Sequence, residues 1–104
     1  MARRLLQHGF PVVSCANRRR EAIEALSQEG LVEAENPAGV GAKADILMTI
    51  VIDQSQTEQV LRGPTGALAR LRSGAAIIIM STLDPDYCKS LARELAPRDI
   101  EVID

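Results

Sequence analysis

Two apolar runs, broken only by Thr49, constrain this chain more than any other feature: Ile46-Leu47-Met48-Thr49-Ile50-Val51-Ile52 and Ala75-Ala76-Ile77-Ile78-Ile79-Met80. A strand with one wet face alternates apolar and polar residues, whereas a run of this kind reads as a strand buried on both faces, as in a parallel sheet with helices on either side. Segments of helical pattern surround the two runs. Residues 2 to 8 end at Gly9, a C-cap residue. Residues 19 to 29 place Ala22, Ile23, Ala25 and Leu26 on one face and stop at Gly30. Asn36-Pro37 supplies an N-cap followed by proline at the first helical position, opening a short helix toward Ala44. Residues 54 to 62 and 65 to 72 read as two helical pieces broken at Gly63-Pro64, and Asp84-Pro85 starts a helix that runs through Leu95. Phe10 to Ala16, Leu31 to Glu35 and Ile100 to Ile103 are the remaining extended pieces. Strands alternating with helices specify an α/β class with a mainly parallel sheet, and 104 residues amount to one domain, 1–104.

Composition removes several classes of function. The chain is 46% hydrophobic, but Phe10 and Tyr87 are its only aromatics, so it has no platform for stacking bases and no nucleic-acid partner is expected. No apolar stretch approaches the ~18 residues of a membrane span. Cys15 and Cys88, without a charged-then-apolar leader, read as buried or half-buried thiols and point to a cytoplasmic protein. The net charge is −2, yet the first 20 residues hold Arg3, Arg4, Arg18, Arg19 and Arg20 and no acid, which suits a phosphate-bearing ligand. His8 is the lone histidine, and Lys43 and Lys89 fall on outer helices. No metal-ligand cluster, Ser-His-Asp set or carboxylate pair is visible, so neither a catalytic residue nor a metal site is nominated.

Asn17-Arg18, Gly30 followed by Asn36-Pro37, Ala44-Asp45-Ile46-Leu47-Met48-Thr49, and Met80-Ser81-Thr82 with Pro85 resemble the cofactor domain of the β-hydroxyacid dehydrogenases. That family includes 3-hydroxyisobutyrate dehydrogenase, tartronate semialdehyde reductase and, more distantly, 6-phosphogluconate dehydrogenase. The resemblance covers essentially all 104 residues. It implies an incomplete Rossmann-like, doubly wound parallel sheet. The family's chain opens with a strand and a G-x-G-x-x-G loop, whose glycines let backbone N–H groups approach a pyrophosphate. Met1-Ala2 is similar to the Met-Ala just beyond that loop, so the first strand and glycine-rich loop are expected to be absent. The family's catalytic lysine and substrate motif are expected to lie beyond Asp104. Gly39-Val40-Gly41-Ala42-Lys43-Ala44 fits G-x-G-x-x-A, but it sits inside a short helix and leads into a strand, so it reads as a decoy.

The resemblance also implies site residues. Arg18, with Asn17 and Arg19 beside it, is similar in place to the residue that meets the adenosine ribose; arginine there favours a 2′-phosphate, hence NADP over NAD. For Arg19 and Arg20 the alternative is simple solvation of the first turn of a helix. The family's M-L-P-D turn is Ile50-Val51-Ile52-Asp53 here, with Ile52 in place of proline, and it puts Val51 and Ile52 at the nicotinamide side. Gln56 and Thr82 match polar cofactor contacts, with helix capping as the alternative for Ser81 and Thr82. These features imply a module with weak or vestigial NADP binding and no independent catalysis. The alternatives are a non-catalytic oligomerising or interaction module, or one chain of a split dehydrogenase completed by a partner chain. In the strand order 3-2-1-4-5-6 the absent strand is central, so the strands at 10–16 and 46–52 each lack a neighbour. They could pair directly, the N-terminal segment could reorganise, or a second copy could fill the gap; a homo-oligomer, as a strand-exchanged dimer, is the expectation.

Overall fold

The computed structural model describes residues 1–15 and 20–103. Helices and strands alternate along the chain: α1 (Ala2–Gln7), β1 (Val13–Cys15), α2 (Glu21–Ser27), β2 (Val32–Ala34), α3 (Pro37–Lys43), β3 (Ile46–Thr49), α4 (Gln54–Arg62), β4 (Ala76–Ile79), α5 (Pro85–Leu95) and β5 (Glu101–Ile103). All strand pairs are parallel. They form two sheets, β1-β2 and β3-β4-β5, and among the described residues no strand joins β1 to β3. Direct pairing across the expected central gap is therefore not how this fold is built. The arrangement is an α/β, Rossmann-like fold with its sheet in two parts.

Local sequence accounts for most boundaries. Asn36 Oδ1 accepts the Gly39 N–H at 3.0 Å and Pro37 occupies the first turn, so α3 starts where a cap and a preset φ coincide. Asp84 accepts the Asp86 N–H at 2.9 Å ahead of Pro85, opening α5 in the same way. The turn after α2 closes at Gly30, where φ is +107°, a conformation that a side chain would strain. Gly41 packs so closely on the turn at 67 to 69 that a Cβ would lie 2.3 Å from the Ala67 carbonyl oxygen. The G-x-G-x-x-A match is thus spent on helix packing inside α3.

The core lies on one face of the three-stranded sheet. Leu47, Ile77 and Ile79 point into a cluster with Leu61 of α4, Cys88, Leu91 and Leu95 of α5, and Ala67, Leu68 and Leu71 of the intervening segment. Full burial of such side chains contributes about 1.5 to 3 kcal/mol each. Val102 closes the cluster from β5, and Val40 and Ala44 from α3.

Four expectations are corrected. The apolar run at 46–52 is not buried on both faces: in β3 Leu47 and Thr49 are buried while Ile46 is 56% and Met48 36% exposed, because α4 and α5 cover one side only. Residues 65 to 72 do not form a helix beyond the single 3₁₀ turn Ala67–Ala69. Gly66, where a Cβ would sit 2.4 Å from the Leu61 carbonyl oxygen, folds this segment back on the end of α4 and leaves no room for a regular helix. Of the strand expected over 10–16, the described residues form Val13–Cys15, paired with Val32–Ala34; Pro11 has no N–H to give, and Phe10 is exposed. The face expected for α2 also shrinks to Ile23 and Leu26, with Ala22 and Ala25 exposed.

Candidate functional site

In a parallel α/β sheet, ligands collect outside the carboxyl ends of the strands. β1 pairs with β2 in one sheet and β3 with β4 in the other, and the turns that follow β3 and β4 lie at those carboxyl ends. The residues nominated for the nicotinamide side all follow β3 or β4.

Beyond Thr49 the chain turns through Ile50, Val51 and Ile52 to Asp53, the N-cap of α4, whose Oδ1 accepts the Gln56 N–H at 2.9 Å. Thr57 Oγ1 donates to the Asp53 carbonyl at 2.9 Å and secures the same turn from within the helix. Gln56 Oε1 in turn accepts the Ile52 N–H at 3.0 Å, so one face of its amide organises the loop. Beyond β4, the Met80 N–H donates to the Thr49 carbonyl at 3.0 Å, extending the ladder by one step. Ser81 Oγ accepts the Val51 N–H at 3.2 Å and donates to the Val51 carbonyl oxygen. The two post-strand turns are thereby tied together through both backbone polar groups of Val51.

Around that tie the surface is apolar. Ile52 is 82% exposed, Ile50 61% and Met80 51%, while Val51 is half-buried. Thr82 lies exposed between Ser81 and the Asp84 cap. The hydroxyl of Thr49, at the end of β3, is buried with no hydrogen-bond partner among the described residues. The geometry joins Val51 and Ile52 of the loop to Gln56 in the first turn of α4 and ties the loop, at Val51, to Ser81, the residue before Thr82. The surface is covered by apolar side chains, and the N–H groups of Val51 and Ile52 are spent within it on Ser81 and Gln56.

Asn17, Arg18 and Arg19, nominated for the adenosine side, lie outside the described residues. Arg20 is described, and its guanidinium is committed: Nη1 and Nη2 donate to the two Glu33 carboxylate oxygens at 2.7 and 2.9 Å, with Glu24 3.6 Å from Nε. Arg3 is likewise paired with Glu29 at 2.9 Å. The arginine-rich start is thus partly neutralised by acids from α2 and β2 and by Glu29 just beyond α2, a pairing that the local sequence does not announce. Burial, and secondarily the Glu33 charge, push the half-buried Cys15 thiol up, disfavouring its thiolate. Cys88 is buried. Lys43 and Lys89 are exposed on α3 and α5. Among the described residues no three His, Cys, Asp or Glu side chains gather as a metal site, and no helix is long and apolar enough to cross a membrane.

Comparison with known proteins agrees with this fold. A family model described as the NAD binding domain of 6-phosphogluconate dehydrogenase matches residues 1–104. The chain is 34% identical over 104 residues to L-threonate dehydrogenase of Cupriavidus necator, covering all of this chain and 35% of that protein. Among solved structures, 3-hydroxyisobutyrate dehydrogenase of Salmonella typhimurium superimposes with a TM-score of 0.86 at 24% identity, over 97% of this chain and 35% of that one. Psf3, solved with NADP+ and 2-OPP, superimposes with a TM-score of 0.84 at 27% identity, over 99% of this chain and 36% of that one. The chain spans about a third of the length of the proteins it matches.

Proposed function

Because the chain belongs to the family of the NAD-binding domain of 6-phosphogluconate dehydrogenase and the β-hydroxyacid dehydrogenases, we propose that it is a dinucleotide-binding module whose retained half-site binds NADP weakly. It supplies no catalysis by itself. The observation that carries this reading is the meeting of the turns after β3 and β4 at Val51 and Ser81, at the carboxyl ends of those strands. Val51, Ile52, Gln56 and Thr82 would hold the nicotinamide end, and Asn17, Arg18 and Arg19 the adenosine end with its 2′-phosphate. The bound group would supply hydride transfer. The chain's own part is to orient the ring on the Val51 loop and to hold the phosphate. A likeness to a protein solved with NADP+ supports NADP as the first ligand to test, with NAD second.

The experiment is titration of the purified chain with NADP and NAD by calorimetry, with Arg18→Ala alongside. Saturable NADP binding that weakens in the variant supports the reading. No binding up to millimolar cofactor removes it.

A second reading is favoured by a different observation. The face of the three-stranded sheet away from α4 and α5 carries Ile46, Met48 and Ile103 in the open, and β1 and β3 each present an unpaired edge. Contiguous apolar surface and free edges are templates for association. In this reading the chain is a homo-oligomerising module, as a strand-exchanged dimer, or it is completed by a partner chain as half of a split dehydrogenase. Light scattering across a concentration series tests it: a monomer at high micromolar concentration removes the homo-oligomer. Co-purification with a second polypeptide would point to the split enzyme.

A further inference from the structure

Ser81 lies one residue past the end of the β4 ladder, where a hydroxyl reads most simply as a cap for the helix that follows. That role is already filled, because Asp84 accepts the Asp86 N–H and opens α5. Ser81 instead reaches sideways to a residue 30 positions earlier, accepting the Val51 N–H and donating to the Val51 carbonyl. The loop it holds has few other restraints from outside itself. Ile50 and Ile52 are exposed on either side of Val51, and the Gln56 and Asp53 bonds join the loop only to its own helix.

The side chain of residue 52 bears on this as well. A proline there would fix φ near −65° and pre-set the turn, a ring constraint that Ile52 does not impose. The Ile52 N–H that a proline would lack is used by Gln56, which belongs to the loop's own helix. The Ser81 hydroxyl is a side chain from outside the loop that bonds to it.

We propose that Ser81 is a positioning residue that latches the Val51 loop onto the end of β4, so that the loop presents its nicotinamide-side surface in one conformation; this rests on the cofactor reading above. The hydroxyl touches no ligand in this role. It acts through Val51, lowering the ordering cost that a mobile loop would charge against binding.

The test pairs backbone amide exchange with two ligands on the full chain, comparing wild type, Ser81→Ala and Ser81→Thr. NADP spans both ends of the site, and adenosine 2′,5′-bisphosphate probes only the adenosine end. In Ser81→Ala the Val51 amide is expected to exchange about tenfold faster while the amides of β4 keep their rates, and the NADP Kd to rise by about tenfold with that of the bisphosphate unchanged. Ser81→Thr, which keeps the hydroxyl, is expected to restore both. Equal Val51 exchange in wild type and Ser81→Ala overturns the latch, and equal weakening of both ligands, or a Ser81→Thr variant as weak as Ser81→Ala, overturns its positioning role. If wild type binds neither ligand, the cofactor reading falls and takes the positioning role with it, while the exchange rates still report whether the latch exists.

Discussion

The two sheets are made by the same alternation of strand and helix, yet they are stabilised very differently. The β3-β4-β5 unit buries Leu47, Leu61, Leu68, Leu71, Ile77, Ile79, Leu91, Leu95 and Ile100 in one cluster, whereas among the described residues the β1-β2 unit buries only Ile23, Leu31 and Ala34 of its hydrophobics. α1 buries no residue at all. Its contacts with the rest are ones such as the Arg3 to Glu29 pair, and exposed ion pairs contribute roughly 0 to 1 kcal/mol. A fold of this class distributes its core over both sides of a continuous sheet. When the sheet is in two parts, the part with two long amphipathic helices keeps the core and the other depends on its connection to it. That connection is α3, which packs on the turn at 67 to 69 through Gly41 and accepts an anchor in the Ala38 N–H to Thr65 carbonyl bond at 2.8 Å. The residues nominated for the nicotinamide side, Val51, Ile52, Gln56 and Thr82, all follow strands of the β3-β4-β5 unit.

The largest effect should come from the core of the stronger unit. Ile77 is fully buried at the centre of its sheet, so Ile77→Ala should cost about 4 kcal/mol, a large share of the stability of a domain this size. Ile23→Ala, at the best-buried position of α2, should cost about 2 kcal/mol, because its surroundings are open enough to relax. Urea unfolding followed by circular dichroism measures both, and equal costs would break the contrast between the units. Next comes the connection itself. Gly41→Ala forces a Cβ against the Ala67 backbone oxygen, which no rotamer change relieves, and should cost about 2 kcal/mol. Amide exchange should then show protection falling in residues 21 to 34 before it falls in β4. Uniform loss would mean that the two units unfold as one.

A smaller effect, about 1 kcal/mol, is expected for Asn36→Ala, which removes the cap on Gly39 N–H, while Asn36→Asp should retain most of it. Thermal melts of the two variants decide this. That cap also shows which parts of the molecule were legible in the sequence. Asn36-Pro37 and Asp84-Pro85 announce helix starts because the residues that make the cap are neighbours in the chain, and the class of fold followed from the alternation. The G-x-G-x-x-A match could be dismissed on its context alone. What the sequence did not carry is which side of a strand its helices cover: Ile46, Met48 and Ile50 read as core and are exposed, since an apolar run says nothing about whether a second layer is there. Nor could it show contacts whose partners are distant along the chain. The Ser81 to Val51 latch spans 30 positions and the Arg20 to Glu33 clamp 13, and no local pattern distinguishes either hydroxyl or guanidinium from a solvated one. The Val51 to Asp53 turn was found through resemblance, and Asn17, Arg18 and Arg19 lie outside the described residues.

The smallest effect at neutral pH is nil and becomes visible only in alkali, where it reports on the stronger unit alone. Tyr87, the single tyrosine, projects from α5 with its hydroxyl buried. Burial, reinforced by the Glu58 charge, raises its pKa from 10.0 to about 12. A buried phenol resists becoming phenolate, so the folded chain holds this proton when the unfolded chain has released it. The resulting stability is fully present below pH 10 and is lost as pH rises from about 10 through about 12. Because Tyr87 is only half-buried, solvent screening reduces the size of the loss but not its sign. Phenolate absorbance during an alkaline titration should give a midpoint near 12 for the native chain and near 10 in denaturant, and Tyr87→Phe should flatten the fall in stability. Repeating the titration in Gly41→Ala sharpens the comparison. If the β3-β4-β5 unit stands by itself, the native midpoint should persist when the connection to β1-β2 is strained; a midpoint that drops toward 10 would mean that the core around α5 depends on the weaker unit after all.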